Sequence, residues 1–322
     1  MAGLKVRNVS ILAKVEATYG VDPTPVAADG FYAAGTAPKM IQTSNPLDDV
    51  IGRGTLSKLP GAQPGPRHYQ VDFRVPVRGA GAVYSATVKP KVSTLMRGAS
   101  WQEVIVTTAG LETVTYTPRS AGQESITIYY NLDGMLYKLV GCRGNTNLVI
   151  RTGGIAFLEC SFQGKMATPV DTALVTVTGE PTVQFPTLMG GAFQIGTENF
   201  AAKFNQINFN MNNVLVASVD PSDAHGVGSI ESVDRNPDGS FDPEAVLVAT
   251  FPWYTKFLNG LLMDLSFTMG SVQYNKITVT CGKVQAKDLV PGDRSLLGMF
   301  QVPFRISSDS VVGDDEISIL FN

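Results

Sequence analysis

Residues 134–164 read GMLYKLVGCRGNTNLVIRTGGIAFLECSFQG. Apolar runs and glycine-centred turns alternate along them. Tyr137, Leu139 and Val140 lead into Gly141 and Gly144, Leu148 and Ile150 run into Gly153 and Gly154, and Phe157, Cys160 and Phe162 follow. That spacing predicts a three-strand meander. Residues 273–307, QYNKITVTCGKVQAKDLVPGDRSLLGMFQVPFRIS, repeat the pattern. Tyr137 aligns with Tyr274, the glycine-centred middle with Gly282, the turn at Gly153–Gly154 with Pro291–Gly292, and Phe162 with Phe304. The chain is therefore expected to be a tandem of two similar β modules, 1–185 and 186–322, each with its own core, which a length of 322 residues permits.

Charged residues make up 16% of the chain, below the usual quarter, so much of the surface is expected to be covered by other protein. A net charge of −3 argues against a broad basic face that grips nucleic acid, although not against a protein that lets nucleic acid pass. Glycine and proline are abundant without a collagen-like period, which suits a mostly β chain with many turns. Cys142, Cys160 and Cys281 lack C-x-x-C spacing and read as small buried hydrophobes, with neither a disulfide framework nor a zinc site. No run approaches the ~20 apolar residues of a membrane helix. The N-terminal stretch, interrupted by Lys14 and Glu16, is not a signal peptide, so folding in a reducing cytoplasm is expected.

Residues 9–16, VSILAKVE, predict a first strand, followed by an arm punctuated by Gly20, Pro23 and Pro25. The loop 40–67 is too irregular for strand or helix, and its length marks it as functional or disordered. Residues 68–77 alternate cleanly and predict a half-buried strand. After Pro90, Val92, Leu95 and Met96 form one helical stripe; after Pro252, Trp253, Phe257, Leu258 and Leu261 form another. The helices align at an offset of 162 and the tyrosines at 137, so the first module carries 25 extra residues, read as a hairpin of 112–118 and 124–131. Residues 204–219 predict a strand with Gln206, Asn208, Asn210 and Asn212 on one face.

Residues 234–244, DRNPDGSFDPE, resemble a calcium loop at positions 1, 3, 5 and 6, but the acid due at position 12 stands at 11, so an Asx-rich turn is the better reading. GCRGNTN at 141–147 lacks the Gly-Lys-Ser/Thr ending of a phosphate loop and reads as a hairpin turn. Asp314, Asp315 and Glu316 read as a solvated or interface charge run. His68 and His225, the only histidines, lie in no nucleophile motif, so no catalytic, metal or cofactor residue is expected.

Four stretches in this order, KVEATYGVDPTP, the 134–164 meander, DRNPDGSFDPE and the closing KVQ…GDR…F…F, resemble the major tail tube protein of long-tailed, non-contractile bacteriophages. The resemblance implies packed β-sheet modules with one short flanking helix, six modules to a ring, and rings stacked into the conduit for DNA ejection. Two modules per chain then imply three chains per ring. It further implies that the chain's partners are itself, a tape measure protein, and tail tip and tail terminator proteins, in a virion tail assembled in the host cytoplasm, with passing double-stranded DNA and no membrane. No immunoglobulin-like appendage is expected after the second meander. Within that frame Asp48, Asp49, Arg53, Lys58 and Arg67 are candidates for ring stacking, because their segment is long and mixed in charge. Asn208, Asn210 and Asn212 are candidates for the lumen, where a basic wall would hold DNA fast. The competing reading is a two-domain β-sandwich adhesin or carbohydrate-binding module with Trp101 and Trp253 as platforms.

Overall fold

The computed structural model describes residues 3–34, 38–44, 54, 64–191 and 193–322. It is 49% strand and 5% helix, so its backbone polar groups are satisfied mainly by strand ladders. The first half contains β1 (Val9–Val15), β2 (Gly30–Phe31), β3 (Lys39–Ser44), β4 (Arg67–Pro76), helix α1 (Ser93–Gly98), β5 (Trp101–Val106) and β6 (Thr113–Pro118). It continues with β7 (Ile126–Leu132), β8 (Met135–Arg151), β9 (Phe157–Met166) and β10 (Val170–Asp171). The second half contains β11 (Gln194–Ile195), β12 (Phe204–Asn210), β13 (Asn213–Val219), β14 (Val227–Arg235) and β15 (Asp238–Pro243). Helix α2 (Trp253–Leu258), β16 (Met263–Met269), β17 (Ile277–Ala286), β18 (Val290–Arg294), β19 (Leu297–Ser307) and β20 (Ser318–Phe321) complete it.

The strand order repeats. In the first half antiparallel pairing runs β1–β7–β8–β9–β4–β3. In the second it runs β11–β16–β17–β19–β15–β12, with β18 prolonging β17 alongside β19. Phe162 faces Val71 across β9–β4, and Phe304 faces Gly239 across β19–β15, so the two phenylalanines stand at equivalent places. The halves are hydrogen-bonded into one sheet by β8–β12 and by β6–β20. One core cluster crosses this joint, with Leu148 and Ile150 of the first half and Ile207 and Phe209 of the second all buried. Separate cores are therefore not what the packing shows.

Several local expectations change. The 134–164 stretch is two strands, because β8 runs straight through Gly141 and Gly144. Gly141 has φ 62, and β8 shifts register against β9 between Val140 and Arg143, so this glycine makes a bulge inside a strand and GCRGNTN is no hairpin turn. The added hairpin is β5–β6; β7 instead pairs with β1 and β8. Asn212, at φ 48, breaks the strand expected over 204–219 into β12 and β13. Val92, Leu95 and Met96 are buried as the helical stripe predicts. Of the apolar stripe on α2 only Trp253 is buried, while Leu258 is 76% exposed, because the helix ends there and Gly260 (φ 61) turns the chain before Leu261 can complete the stripe.

β13 and β14 form a separate two-stranded sheet laid against the first half. Arg143 Nη1 donates to the Ile230 carbonyl (2.8 Å) and pairs with Glu231. Lys165 Nζ reaches Asp223 Oδ2 (2.8 Å) and the Gly228 carbonyl (3.0 Å).

Candidate functional site: a polar sheet face and two open edges

Alternation along the joined strands puts apolar side chains into the core and leaves polar ones on the opposite face. β4 contributes Gln70, Asp72 and Arg74 to it, β9 Glu159 and Ser161, β8 Asn145, Asn147 and Arg151, β12 Gln206, Asn208 and Asn210, and β15 Asp238 and Ser240. Two adjoining grooves of about 520 and 430 Å³ run over these residues.

The amides are tied to one another across the joint between the halves. Asn145 Nδ2 donates to Asn210 Oδ1 (2.7 Å) and Asn208 Nδ2 to Asn147 Oδ1 (3.4 Å), while within the halves Asn147 Nδ2 donates to Glu159 Oε2 (3.0 Å) and Ser240 Oγ to Asn208 Oδ1 (2.6 Å). Two of the cations here are engaged too. Arg151 Nε donates to Gln206 Oε1 (3.0 Å), and Arg74 stacks over the Phe157 ring (4.8 Å) while donating to the Ala34 carbonyl (2.9 Å). With Asp72, Glu159 and Asp238 beside Lys39, Arg74, Arg151 and Arg305, the last opposite Asp238 across β15–β19, the two signs are interleaved. Such a surface offers hydrogen bonds to water and no strong anion trap.

Of the lumen candidates, Asn208 and Asn210 lie on this face. Asn212 sits at its rim, where its Nδ2 donates to Asp238 Oδ1 (2.7 Å). Asn145 and Asn147 belong to the same ladder and were missed, although their N-T-N alternation was a strand signal hidden by the neighbouring glycines. Of the stacking candidates, Asp48, Asp49, Arg53 and Lys58 lie outside the described residues. Arg67 begins β4, its N–H donating to the His225 carbonyl (3.0 Å).

The acids of 234–244 face protein donors. Asp242 Oδ1 accepts the N–H groups of Asn205 (2.8 Å) and Gln206 (2.7 Å), and Arg294 lies 3.1 Å from Asp242 Oδ2 and 3.3 Å from Glu244 Oε1. Among the described residues no group of three or more His, Cys, Asp or Glu side chains is placed to hold a metal ion. Trp101 and Trp253 are each 3% exposed, so neither is a platform for a sugar.

The joint between the halves has an unfilled counterpart. The last residues of β8 pair with β12, Asn147 with Asn210 through Arg151 with Gln206. Counting from the equivalent Phe162 and Phe304, Leu158 corresponds to Phe300; their partners Leu148 and Pro291 then correspond, and β18 takes the place of the end of β8. Phe209 faces Gly239 as Met40 faces Val71, so β3 takes the place of β12. Among the described residues the edge of β18 away from β19 and the edge of β3 away from β4 have no strand partner.

A family model described as phage tail tube protein matches residues 7–314. No curated protein matches the chain.

Proposed function

The chain belongs to the phage tail tube protein family and is a structural component of the virion tail, and on that premise we propose how it builds the tube. Residues 1–185 and 186–322 act as two tube modules. β3 of one copy adds to β18 of the next as β12 adds to β8 within the chain. This contact is heterologous, and repeated at a fixed angle it closes into a ring. The observation that carries the reading is the pair of open edges, each the equivalent of a strand edge already joined inside the same chain.

The strands β3, β4, β9, β8, β12, β15, β19 and β18 lie side by side in that order. At about 4.8 Å per strand, three copies make a wall roughly 115 Å round, widened further by strand tilt, whereas two copies give only a porin-sized channel. Three chains per ring match the six modules of the family resemblance. The polar face, with Asn208 and Asn210, lines the bore, and its interleaved charge lets duplex DNA slide during ejection where a basic wall would bind it.

Residues 45–63 connect β3 to β4 in the sequence. We assign them, with Asp48, Asp49, Arg53, Lys58 and the adjoining Arg67, to the contact with the next ring. Assembly then takes place in the host cytoplasm around a tape measure protein, between tail tip and tail terminator proteins. Mass measurement of isolated rings tests the count: three chains of 34.4 kDa are expected, and six contradict it. Deleting 52–65 is expected to give a folded subunit that forms no long tubes; normal elongation would remove the stacking role.

A further inference from the structure

We propose that Pro291 sets the concentration at which copies of this chain join, by removing one of the two backbone bonds from a central pair of the interchain joint. The inference rests on the ring reading above. Within the chain, Met211 N–H donates to the Thr146 carbonyl (3.3 Å) and Thr152 N–H to the Asn205 carbonyl (2.8 Å). By antiparallel alternation between these two, Leu148–Phe209 is a hydrogen-bonded pair, able to exchange two bonds. Its interchain equivalent is Pro291–Met40.

The phase of both edges follows from neighbouring bonds. Val77 N–H donates to the Ala156 carbonyl (2.9 Å), which points Val71 toward β9 and Asp72 toward β3. Lys39, opposite Asp72, therefore faces β4, and Met40 turns its polar groups outward, while the carbonyl of Pro38, the buried residue before β3, accepts from Tyr130 Oη (3.5 Å). On β18 the two-residue turn Ser295–Leu296, with φ 51 and 68, closes on the pair Arg294–Leu297. Counting back from that hydrogen-bonded pair, Asp293 and Pro291 face outward.

Pro291 accepts through its carbonyl but donates nothing. Met40 N–H opposes the Pro291 carbonyl, so one bond of that pair survives. The paired residues of β8 and β12 include no proline. The open edge of β18 is blunted and the corresponding edge of β8 is not, which is how soluble proteins guard exposed strands against unwanted pairing. The remaining donors and acceptors still match, so the joint forms, but only where other contacts assist it.

Pro291→Ala restores an outward N–H. Unseeded assembly, followed by light scattering and negative-stain microscopy, is expected at a critical concentration about fivefold lower for this variant, the net effect of one added hydrogen bond per joint. Val290→Ala, whose N–H faces β19, adds no outward donor and is expected to assemble no more readily than the parent. Thermal unfolding of the free chain should change little in both. The proposal is overturned if the Pro291→Ala variant is folded and assembles at the parent concentration. Tubes of the Ile41→Cys, Val290→Cys chain separate the two levels: no disulfide between copies sinks the ring reading and this inference together, whereas a disulfide with an unchanged threshold in the Pro291→Ala variant sinks this inference alone.

Discussion

Glu16, 7% exposed, fastens the N-terminal arm to the sheet with one carboxylate. It accepts from Gly20 N (2.7 Å), Ser125 Oγ (2.6 Å), Thr127 Oγ1 (2.6 Å) and Gly141 N (2.7 Å). Four donors converge on two oxygens, and a carboxamide would set its own N–H groups against them. Glu16→Gln is expected to cost roughly 3 kcal/mol in denaturant unfolding, with tubes still formed by whatever fraction folds; an unchanged midpoint would show that the network contributes nothing. In the sequence Glu16 marked only the end of an apolar run, since nothing local announces partners more than a hundred residues away. The cysteines were legible. All three are buried, and burial pushes their thiols well above the ordinary range, so at pH 8 they remain neutral. Alkylation of the folded protein is expected to be negligible until denaturant is added; rapid labelling of native protein would contradict that burial.

At the level of elements, β1, β4 and α1 were readable because apolar periodicity alone dictates which face each one buries. The course of β8 was not, because a glycine at positive φ serves a turn and a bulge equally well, and only the pairing partner decides between them. Gly144 has a different reason to be glycine. A Cβ there would stand 2.3 Å from the Phe162 ring and 2.6 Å from the Ser161 carbonyl oxygen, and one on Gly239 would stand 2.5 Å from the Phe304 ring and 2.2 Å from the Asn208 carbonyl oxygen. A glycine therefore lies across from each of the two equivalent phenylalanines. Gly144→Ala and Gly239→Ala are each expected to lower stability by about 1–3 kcal/mol through overpacking, and unaltered thermal unfolding of either would mean that the ring shifts without cost. The hairpin placed at β6–β7 failed for a related reason. β6 and β7 are adjacent in sequence, but the partners that cover them, β5 and β20 for one and β1 and β8 for the other, are set by tertiary packing.

For the whole molecule, the repeat around Phe162 and Phe304 was visible in the sequence, and so was the amide character of β12. The joint was hidden, because it depends on the registers of β8, β12, β3 and β18 together. Asn147–Asn210 is a non-hydrogen-bonded pair across the joint inside the chain, and Ile41–Val290 is its interchain equivalent. Such pairs bring Cα atoms to about 4.5 Å, close enough for a disulfide between cysteines placed there. Because the native thiols are buried, a bond formed in the Ile41→Cys, Val290→Cys chain reports that contact alone. The direct measurement is a non-reducing denaturing gel of oxidised tubes made from this variant. Three two-module chains per ring would give a ladder of one, two and three chains, ending in a closed trimer that collapses to monomer on reduction; a ladder continuing to six chains, or no crosslink in well-formed tubes, would contradict that arrangement.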